Sequence, residues 1–247
     1  MNWKTIKQIN TNPSLMIRTN LRLLNSIKNG LIVSCQAEDT SPFNTPETLN
    51  KFAQAAENAG AKAIRSEGIV KTKKIIETVN IPVIGLVKSN FPDGYVKITG
   101  SFKNVEELIK INCTIIAIDG TMRKRERLSG PEFIHRIKSE FKCCIIADVS
   151  TFDEGLACYE AGADCIATTL SGYTPETKKL QVPTTPDYKL LKSLLTLPVP
   201  IIAEGRYRSP MQAKKAIEMG AWAVTVGTAI TRPAIITSWF VEKLTNR

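Results

Sequence analysis

Eight short apolar runs recur along the chain, and nearly all of them end in a polar or charged residue. The runs are LIVSCQ at 31–36, AKAIR at 61–65, IPVIGLVK at 81–88, TIIAID at 114–119, CIIAD at 144–148, DCIATT at 164–169, VPIIAE at 199–204 and AWAVTVGT at 221–228. Their weak alternation is typical of strands that are buried on both faces, as parallel strands are. If all eight strands are parallel, their polar ends meet at one face of a barrel, and barrel enzymes carry their active sites at that face.

Between the runs lie stretches with helical periodicity and clear end signals. TPE at 45–47 supplies a threonine cap, a proline at the first helical position and a glutamate in the first turn, and Gly60 predicts the end of that helix. The same Gly-Ala junction recurs at Gly162 and Gly220. Glycine accepts the left-handed backbone that ends a helix, so each junction predicts a helix followed closely by a strand.

Strands and helices that alternate over the whole chain predict the α/β class and a closed (β/α)8 TIM barrel. An open sheet usually has a glycine-rich first turn, and the first turn here, CQAEDTSPF, has no glycine. We therefore expect a single barrel domain over residues 1–247. Within it, residues 1–30 are expected to form an N-terminal helical extension able to cover the barrel bottom.

The composition predicts an ordinary globular protein, with 43% hydrophobic and 23% charged residues. No apolar run approaches the roughly 18 residues of a membrane span. The N-terminal sequence has no apolar segment of the kind found in secretory signals. We therefore expect a cytoplasmic protein.

Six cysteines and a net charge of +10 raise the question of metals, disulfides and nucleic acid. There is no C-x-x-C pair and only one histidine, His135, so a zinc site is not expected and the thiols are predicted to be buried and reduced. The densest basic cluster, RKRER at 123–127, has no interleaved aromatic residues. We expect no nucleic-acid partner; part of the charge can attract an anionic small substrate.

Lys88 is the strongest candidate for a catalytic residue, because it directly follows an apolar run that is predicted to form a buried strand. Burial and nearby cations such as Arg65 would lower its pKa and make it a base or a Schiff-base amine, although a solvated loop lysine is the alternative. Asp148 and Glu204 end strands expected on the opposite side of the ring. Each is a candidate acid, base or hydroxyl binder, or else a capping carboxylate.

The loops after the last two runs are candidates for phosphate binding, as in many barrels. Their glycines permit close backbone approach, while a threonine and arginines offer a hydroxyl and charge. The residues concerned are Gly205, Arg206, Gly227, Thr228 and Arg232. Gln36 suits a sugar hydroxyl or an amide but is equally consistent with a structural role. Asp119 is consistent with a catalytic role or with capping or binding Arg123, and His135 is expected on an outer helix.

From about residue 30 to residue 240 the chain resembles the N-acetylmannosamine-6-phosphate 2-epimerases. The motifs are SCQA at 34–37, AIR at 63–65, GLVK at 85–88, ADVST at 147–151, ATTLSGYT at 167–174, PD at 186–187, IIAEGRYRSP at 201–210 and VGTAITRP at 226–233. The resemblance implies a barrel of the ribulose-phosphate-binding type that inverts C2 of a 2-acetamido-sugar 6-phosphate in sialic acid breakdown. It implies no metal, flavin or nicotinamide cofactor, and a homodimer that involves the final helix, ITSWFVEKL.

The resemblance also assigns roles. Lys88 matches the proton-transferring lysine and Glu204 the glutamate that assists it. The remaining matched positions are Gln36, Arg65, Asp148 and Arg232 around the sugar, and Gly205, Arg206, Gly227 and Thr228 around the phosphate. Lys88 would take the C2 proton of the open-chain sugar, and Arg65 or a hydrogen bond would hold the resulting enolate. The donor on the opposite face is Glu204, a hydroxyl of the substrate or a moving Lys88, and we predict that Glu204 helps ring opening or proton return.

Two segments depart from the family pattern, and local loop geometry is expected to differ there. The family has D-A-T-x-R-x-R-P after the fourth strand, whereas DGTMRKRER at 119–127 has Gly120 for alanine and Glu126 for proline. KITGS at 97–101 stands where the family commonly has a Thr-Pro-Thr-like stretch.

Two other functions stay open from the residues. One is a class I aldolase, which would use the lysine as an imine-forming amine. The other is a non-catalytic sugar-phosphate-binding regulator, which would gain nothing from a base beside the reactive carbon.

Overall fold

The structure, a computed structural model, describes residues 13–180 and 185–245. Its strands are β1 (Gly30–Cys35), β2 (Ala63–Glu67), β3 (Val83–Leu86), β4 (Lys88–Asn90), β5 (Val96–Ile98), β6 (Ile115–Asp119), β7 (Cys144–Asp148), β8 (Cys165–Ala167), β9 (Ile201–Glu204) and β10 (Ala223–Val226). Its α-helices are α1 (Pro13–Ser26), α2 (Pro46–Asn58), α3 (Ile69–Ile76), α4 (Phe102–Lys110), α5 (Gly130–Glu140), α6 (Phe152–Glu160), α7 (Tyr188–Leu194), α8 (Pro210–Glu218), α9 (Thr228–Thr231) and α10 (Pro233–Thr245).

Eight of the strands close into a parallel barrel in the ring order β1-β10-β9-β8-β7-β6-β3-β2. Each apolar run of the sequence supplies one barrel strand, so the predicted (β/α)8 barrel is confirmed. Because all strands run in one direction, their carboxyl ends form a single rim. Among the helices of the described residues, none is long and apolar enough to cross a membrane.

The third run differs from the prediction, because Lys88 does not end a barrel strand. The barrel strand β3 stops at Leu86, and Lys88 begins β4, which pairs with β5 in an antiparallel hairpin on the rim. Thr99 holds the base of this hairpin. Its N–H donates to Val87 O at 2.7 Å, its Oγ1 accepts from Val87 N at 3.2 Å, and the same hydroxyl donates to Ala117 O at 2.7 Å. The chain therefore leaves the barrel one residue before Lys88.

Helix α1 closes the amino-terminal end of the barrel. Leu24 and Ile27 are buried in one cluster with inward-facing strand residues such as Ile32 and Ile202. Burying each side chain stabilises the fold by about 1.5–3 kcal/mol. Trp222, just before β10, fixes the helix end by donating from Nε1 to Leu24 O at 2.7 Å. The first part of the predicted N-terminal extension, residues 1–12, lies outside the described residues.

The predicted start of one helix and the predicted ends of three helices are confirmed. Thr45 Oγ1 accepts from Thr48 N at the start of α2, as expected of an N-cap. Gly60, Gly162 and Gly220 all have positive φ, at 94°, 91° and 109°. A Cβ is disfavoured in this region, so glycine lets each helix stop and the next strand begin within a few residues.

Candidate active site

One pocket of about 510 Å³ opens at the carboxyl rim of the barrel. Nine of the ten residues singled out in the sequence line it: Gln36, Arg65, Lys88, Glu204, Gly205, Arg206, Gly227, Thr228 and Arg232. They come from five barrel strands and the segments that follow them, far apart in sequence. The tenth, Asp148, lies behind the pocket wall.

Arg65 is the charged centre of the pocket floor. Its Nη1 and Nη2 donate to Asp148 Oδ1 at 3.1 Å and Oδ2 at 2.5 Å, and Nη1 also lies 3.2 Å from Glu204 Oε2. Burial alone would lower the pKa of Arg65, but the two carboxylates outweigh it and raise the pKa. Arg65 therefore keeps a permanent positive charge at the pocket floor.

Asp148 is fully buried, and both carboxylate oxygens are used. Oδ1 also accepts from Thr169 Oγ1 at 2.6 Å. Its strand, β7, is two places from β3 in the ring, so the expectation that Asp148 faces Lys88 from the opposite side is wrong. Both oxygens of the Asp148 carboxylate therefore have protein partners, and the residue does not line the pocket.

Glu204 does lie opposite Lys88, since β9 and β3 are four places apart in the eight-stranded ring. Thr168 fixes its backbone: the hydroxyl accepts from Glu204 N at 2.9 Å and donates to Glu204 O at 2.7 Å. Burial raises the pKa of the Glu204 carboxyl, and repulsion from Asp148 adds to this, against the opposing effect of Arg65. A carboxyl with a raised pKa is suited to give up or take a proton near neutral pH.

Lys88 as a whole residue is exposed, but its ammonium group lies within the pocket, where the walls partly desolvate it. This desolvation is the largest cause that lowers the pKa of Lys88. Arg232 and then Arg65 lower the pKa by repulsion, while Glu67 and Glu204 act in the opposite direction. The result is an amine that loses its proton more readily than an ordinary lysine.

The loops after β9 and β10 bring backbone N–H groups and a hydroxyl to the other end of the pocket. Gly205 and Arg206 have φ of 109° and 62°, and Gly227 precedes the short helix α9, which begins at Thr228. A Cβ at Gly227 would lie 3.2 Å from Ser34 Cβ, so the close approach of β1 favours glycine.

The side chains of Gln36 and Arg232 already have protein partners. Gln36 Nε2 donates to Ser34 Oγ at 2.9 Å, which leaves its carbonyl oxygen for a ligand. Arg232 Nη1 pairs with Glu38 Oε1 at 2.8 Å. Both residues line the pocket, as expected of sugar-binding positions.

Sequence reasoning missed several pocket-lining residues. Thr225 precedes Gly227 by two positions on one strand, so the two-residue period of a strand was a usable signal. Arg208 lies in the same loop as Arg206, inside a motif already singled out. Trp239 and Ile235 come from α10, and nothing in their local sequence indicates a rim position.

Asp119 forms a buried ion pair, and its partner is Arg125 rather than Arg123. Its Oδ1 accepts from Arg125 Nη2 at 2.8 Å and from Thr121 N at 3.0 Å. Arg123 instead pairs with Asp93 at 2.5 Å in the β4–β5 hairpin. Two residues of the basic cluster therefore stabilise the rim.

The two departures from the family pattern lie close together, because Glu126 contacts the residue that follows KITGS. Glu126 has φ of 47°, which proline cannot adopt, and its Oε2 accepts from Phe102 N at 3.3 Å, directly after KITGS. At Gly120, a Cβ would lie 2.8 Å from Cys158 Sγ. Glu126 and Gly120 therefore fit the contacts at their positions in this chain.

His135 and the six cysteines lie where they were expected. His135 is exposed on α5. All six cysteines are free and buried, and burial raises the pKa of Cys35, Cys113 and Cys143 to about 12. Within residues 13–180 and 185–245, no three metal-binding side chains are grouped to hold an ion.

Comparison with known proteins identifies the family. The family profile described as "Putative N-acetylmannosamine-6-phosphate epimerase" matches residues 49–246. A protein of Pasteurella multocida, described as "Putative N-acetylmannosamine-6-phosphate 2-epimerase", is 43% identical over 221 residues, which cover 90% of this chain and 94% of the relative. A protein of the same description from Caldanaerobacter subterraneus subsp. tengcongensis is 44% identical over 229 residues, covering 91% and 95% of the two chains.

Solved structures agree with this assignment. The N-acetylmannosamine-6-phosphate 2-epimerase from Clostridium perfringens has a TM-score of 0.82 and 38% identity, covering 90% of this chain and 96% of that chain. Thiamine phosphate pyrophosphorylase from Pyrococcus furiosus shares the fold alone, with a TM-score of 0.56 and 14% identity. The resemblance inferred from the sequence motifs is confirmed, and the chain belongs to the N-acetylmannosamine-6-phosphate epimerase family.

Proposed function

We propose that this protein is an isomerase that converts N-acetylmannosamine 6-phosphate to N-acetylglucosamine 6-phosphate by inverting C2, in the breakdown of amino sugars and sialic acid. One observation carries the proposal. Lys88 and Glu204, whose pKa values are shifted toward neutrality, approach one pocket from opposite sides of the barrel, with the Arg65 guanidinium on the floor between the strands that carry them.

Proton abstraction at C2 requires the open-chain form of the sugar, because only the C1 aldehyde makes that proton acidic. Lys88 takes the proton in its neutral form, which its lowered pKa makes accessible. The electron pair of the broken C–H bond moves into an enolate, and negative charge develops on O1. Lys88 is then the ammonium group.

Arg65 stabilises that developing charge. Its guanidinium is held by Asp148 in a fixed orientation before the reaction begins, so little reorganisation is needed when the enolate forms. Asp148 thus contributes by positioning Arg65, without touching the sugar.

Glu204 returns the proton from the opposite side, which inverts the configuration at C2, or moves protons between O1 and the ring oxygen as the ring opens. Its raised pKa supports both roles, since it makes the protonated carboxyl more accessible than in an ordinary glutamate. Inversion needs a donor on the face opposite the base, and β9 faces β3 across the ring.

Three buried atoms at the pocket support a ligand rich in hydroxyl groups. Arg65 Nε, Glu204 Oε2 and Thr225 Oγ1 make no hydrogen bond among the described residues, although Glu204 Oε2 is in an ion pair with Arg65 Nη1 at 3.2 Å. Buried polar groups in native proteins are nearly always paired. The hydroxyl groups of an open-chain sugar would supply these partners.

The substrate phosphate is proposed to lie on the loops that hold Gly205, Arg206, Gly227 and Thr228. Successive backbone N–H groups and a helix start are suited to bind an anion. Gln36 and Arg232 then face the sugar.

The decisive experiment follows the C2 proton of N-acetylmannosamine 6-phosphate by proton NMR in D2O. We expect the C2 signal to be lost and the C2 epimer to accumulate with deuterium at C2. Lys88→Met removes the base with little change of volume and should lower exchange by about 1,000-fold or more. Lys103→Met, at an exposed position on α4, is the matched control and should leave exchange unchanged.

Absence of exchange with the wild-type protein would contradict the proposal. If borohydride then traps a covalent adduct with a keto sugar, the aldolase alternative is favoured, because only an imine is reduced in this way. Binding without exchange or trapping would favour the regulator.

We also propose that the chain is one domain, works in the cytoplasm and forms a homodimer through α10. Free buried thiols fit a reducing compartment. On α10 the apolar side chains of Phe240, Val241 and Leu244 are exposed by 67%, 51% and 81%, as expected of a surface that a second copy covers. Light scattering of the wild type and of Leu244→Glu tests the dimer.

A further inference from the structure

Three arginines line the pocket near its glycine loops, and they differ in what their side chains already bind. Arg206 donates from Nε to Thr185 O at 2.9 Å and from Nη1 to Ser171 O at 2.6 Å. Arg232 is paired with Glu38 and repels the ammonium group of Lys88. The Arg206 side chain ties two loops together, and Arg232 belongs to the Lys88 end of the pocket.

Arg208 is the remaining arginine. Among the described residues, its guanidinium has neither a hydrogen bond nor an ion pair; its contact is with the ring of Trp239, whose centroid lies 4.4 Å from Arg208 Cζ. Its backbone is fixed, because Arg208 N donates to Gln212 Oε1 at 2.7 Å beside the capping box of α8. A rigid backbone and a flat aromatic support therefore hold a cation with unused donors at the pocket wall.

Stacking and hydrogen bonding use different parts of a guanidinium. The flat face contacts the indole, while the five N–H donors lie in the plane and point outward. Stacking thus restricts the side chain without consuming its donors. Planar paired donors match the oxygens of a phosphate group.

We infer that Arg208, and not Arg206, is the arginine whose side chain binds the substrate phosphate, and that Trp239 of α10 is the positioning residue that presents it. The inference rests on the proposed function for the identity of the substrate, but the anion site is testable without turnover. It also makes the terminal helix part of the site, since α10 supplies the stacking surface.

The test measures binding of inorganic phosphate by phosphorus NMR or calorimetry, together with kinetics. Arg208→Gln should weaken phosphate binding by about 10- to 100-fold, as expected for loss of charge-assisted hydrogen bonds. The KM for the sugar 6-phosphate should rise by a similar factor, with kcat within about threefold, because the phosphate is remote from C2. Residual exchange with unphosphorylated N-acetylmannosamine should not change.

Variants of Trp239 separate positioning from general stability. Trp239→Ala should approach the phosphate-binding loss of Arg208→Gln, whereas Trp239→Phe retains a ring and should recover most of the affinity. Arg208→Lys should be intermediate, because it keeps the charge and loses the flat face. Arg136→Gln, on the exposed face of α5, is the matched control and should bind phosphate normally.

Arg206→Gln decides between the two arginines. We expect it to lower the thermal midpoint by loosening its two loops, with less than about a threefold effect on phosphate affinity.

The inference is overturned if phosphate affinity falls with Arg206→Gln and stays within twofold of wild type in Arg208→Gln. It is also overturned if wild type binds no phosphate at millimolar concentrations, or if Arg208→Gln slows the phosphorylated and unphosphorylated sugars equally. If the wild type binds phosphate through Arg208 but exchanges no C2 proton, the proposed reaction is contradicted and the role of Arg208 in phosphate binding stands.

Discussion

The Arg65 guanidinium and the Asp148 carboxylate face each other at the pocket floor through two parallel hydrogen bonds, at 3.1 and 2.5 Å, with 2% and 0% of their side chains exposed. The pair joins β2 to β7 across the barrel interior. A buried pair of this kind is costly to break, because the surviving charge is left without compensation. Its geometry sets the direction in which the free Nε of Arg65 points.

We predict that Asp148→Asn lowers both stability and activity. Removing the carboxylate charge leaves Arg65 with Glu204 alone, and the free energy of unfolding should fall by about 3 kcal/mol or more. Exchange at C2 should fall by about 100-fold, since Arg65 is no longer held in place. Urea titration and the NMR assay measure the two effects. Asp153→Asn, an exposed change on α6, is the control, and an Asp148→Asn protein as stable as that control would contradict the prediction.

The pH profile of kcat/KM should have two limbs. Lys88 must be neutral to act as the base, so the active fraction of this residue rises with pH through its pKa, which lies below that of an ordinary lysine. Glu204 must be protonated to return the proton, so the active fraction of this residue falls as the pH rises through its pKa, which is raised by burial. A bell-shaped curve is expected, and Glu204→Gln should remove one limb while lowering the rate.

Arg232→Gln tests whether repulsion by Arg232 lowers the pKa of Lys88. After burial, repulsion by Arg232 is the largest cause that lowers the pKa of Lys88, so removing the charge raises that pKa. The limb that belongs to Lys88 should therefore move to higher pH in the kcat/KM profile. An unchanged limb, or one displaced to lower pH, would show that Lys88 does not titrate as proposed. Arg136→Gln should leave the profile where it is.

Arg123 is predicted to hold the hairpin that begins with Lys88. Its guanidinium lies 3.7 Å from the ring centroid of Phe91 and pairs with Asp93. A contact of this type contributes about 0.5–2 kcal/mol, so Arg123→Ala should lower kcat by about 3- to 10-fold with a small change in KM. Hydrogen exchange should become faster at residues 88–98 and stay unchanged in the barrel strands. Lys124→Ala, an exposed neighbour, should alter neither measurement.

Gly120→Ala, which installs the residue common in the family, should destabilise this protein. The new Cβ would lie 2.8 Å from Cys158 Sγ and 2.9 Å from Val149 Cγ1. Overpacking of this size costs about 1–3 kcal/mol. Cys158→Ala removes the sulfur, so the double variant should be more stable than the sum of the single effects predicts, by at least about 0.5 kcal/mol. Strict additivity in urea titrations would show that Cys158 is not the obstacle.

Local patterns in the sequence were enough to predict the barrel and the position of its active rim. Apolar runs of strand length, helix caps such as Thr45 and helix stops such as Gly60 are local signals, and each acts on residues a few positions away. Parallel strands then bring Lys88, Arg65 and Glu204 to one rim regardless of loop detail. This is why so many predicted positions line a single pocket.

The different roles of these side chains depend on contacts between distant parts of the chain. Asp148 lies behind Arg65 rather than in the pocket, Lys88 begins a hairpin that Thr99 holds, and Arg208 rests on Trp239 from a distant helix. Each of these contacts joins segments that are remote in sequence. Which partner a polar side chain meets depends on the relative placement of loops in space, and no local propensity encodes that placement.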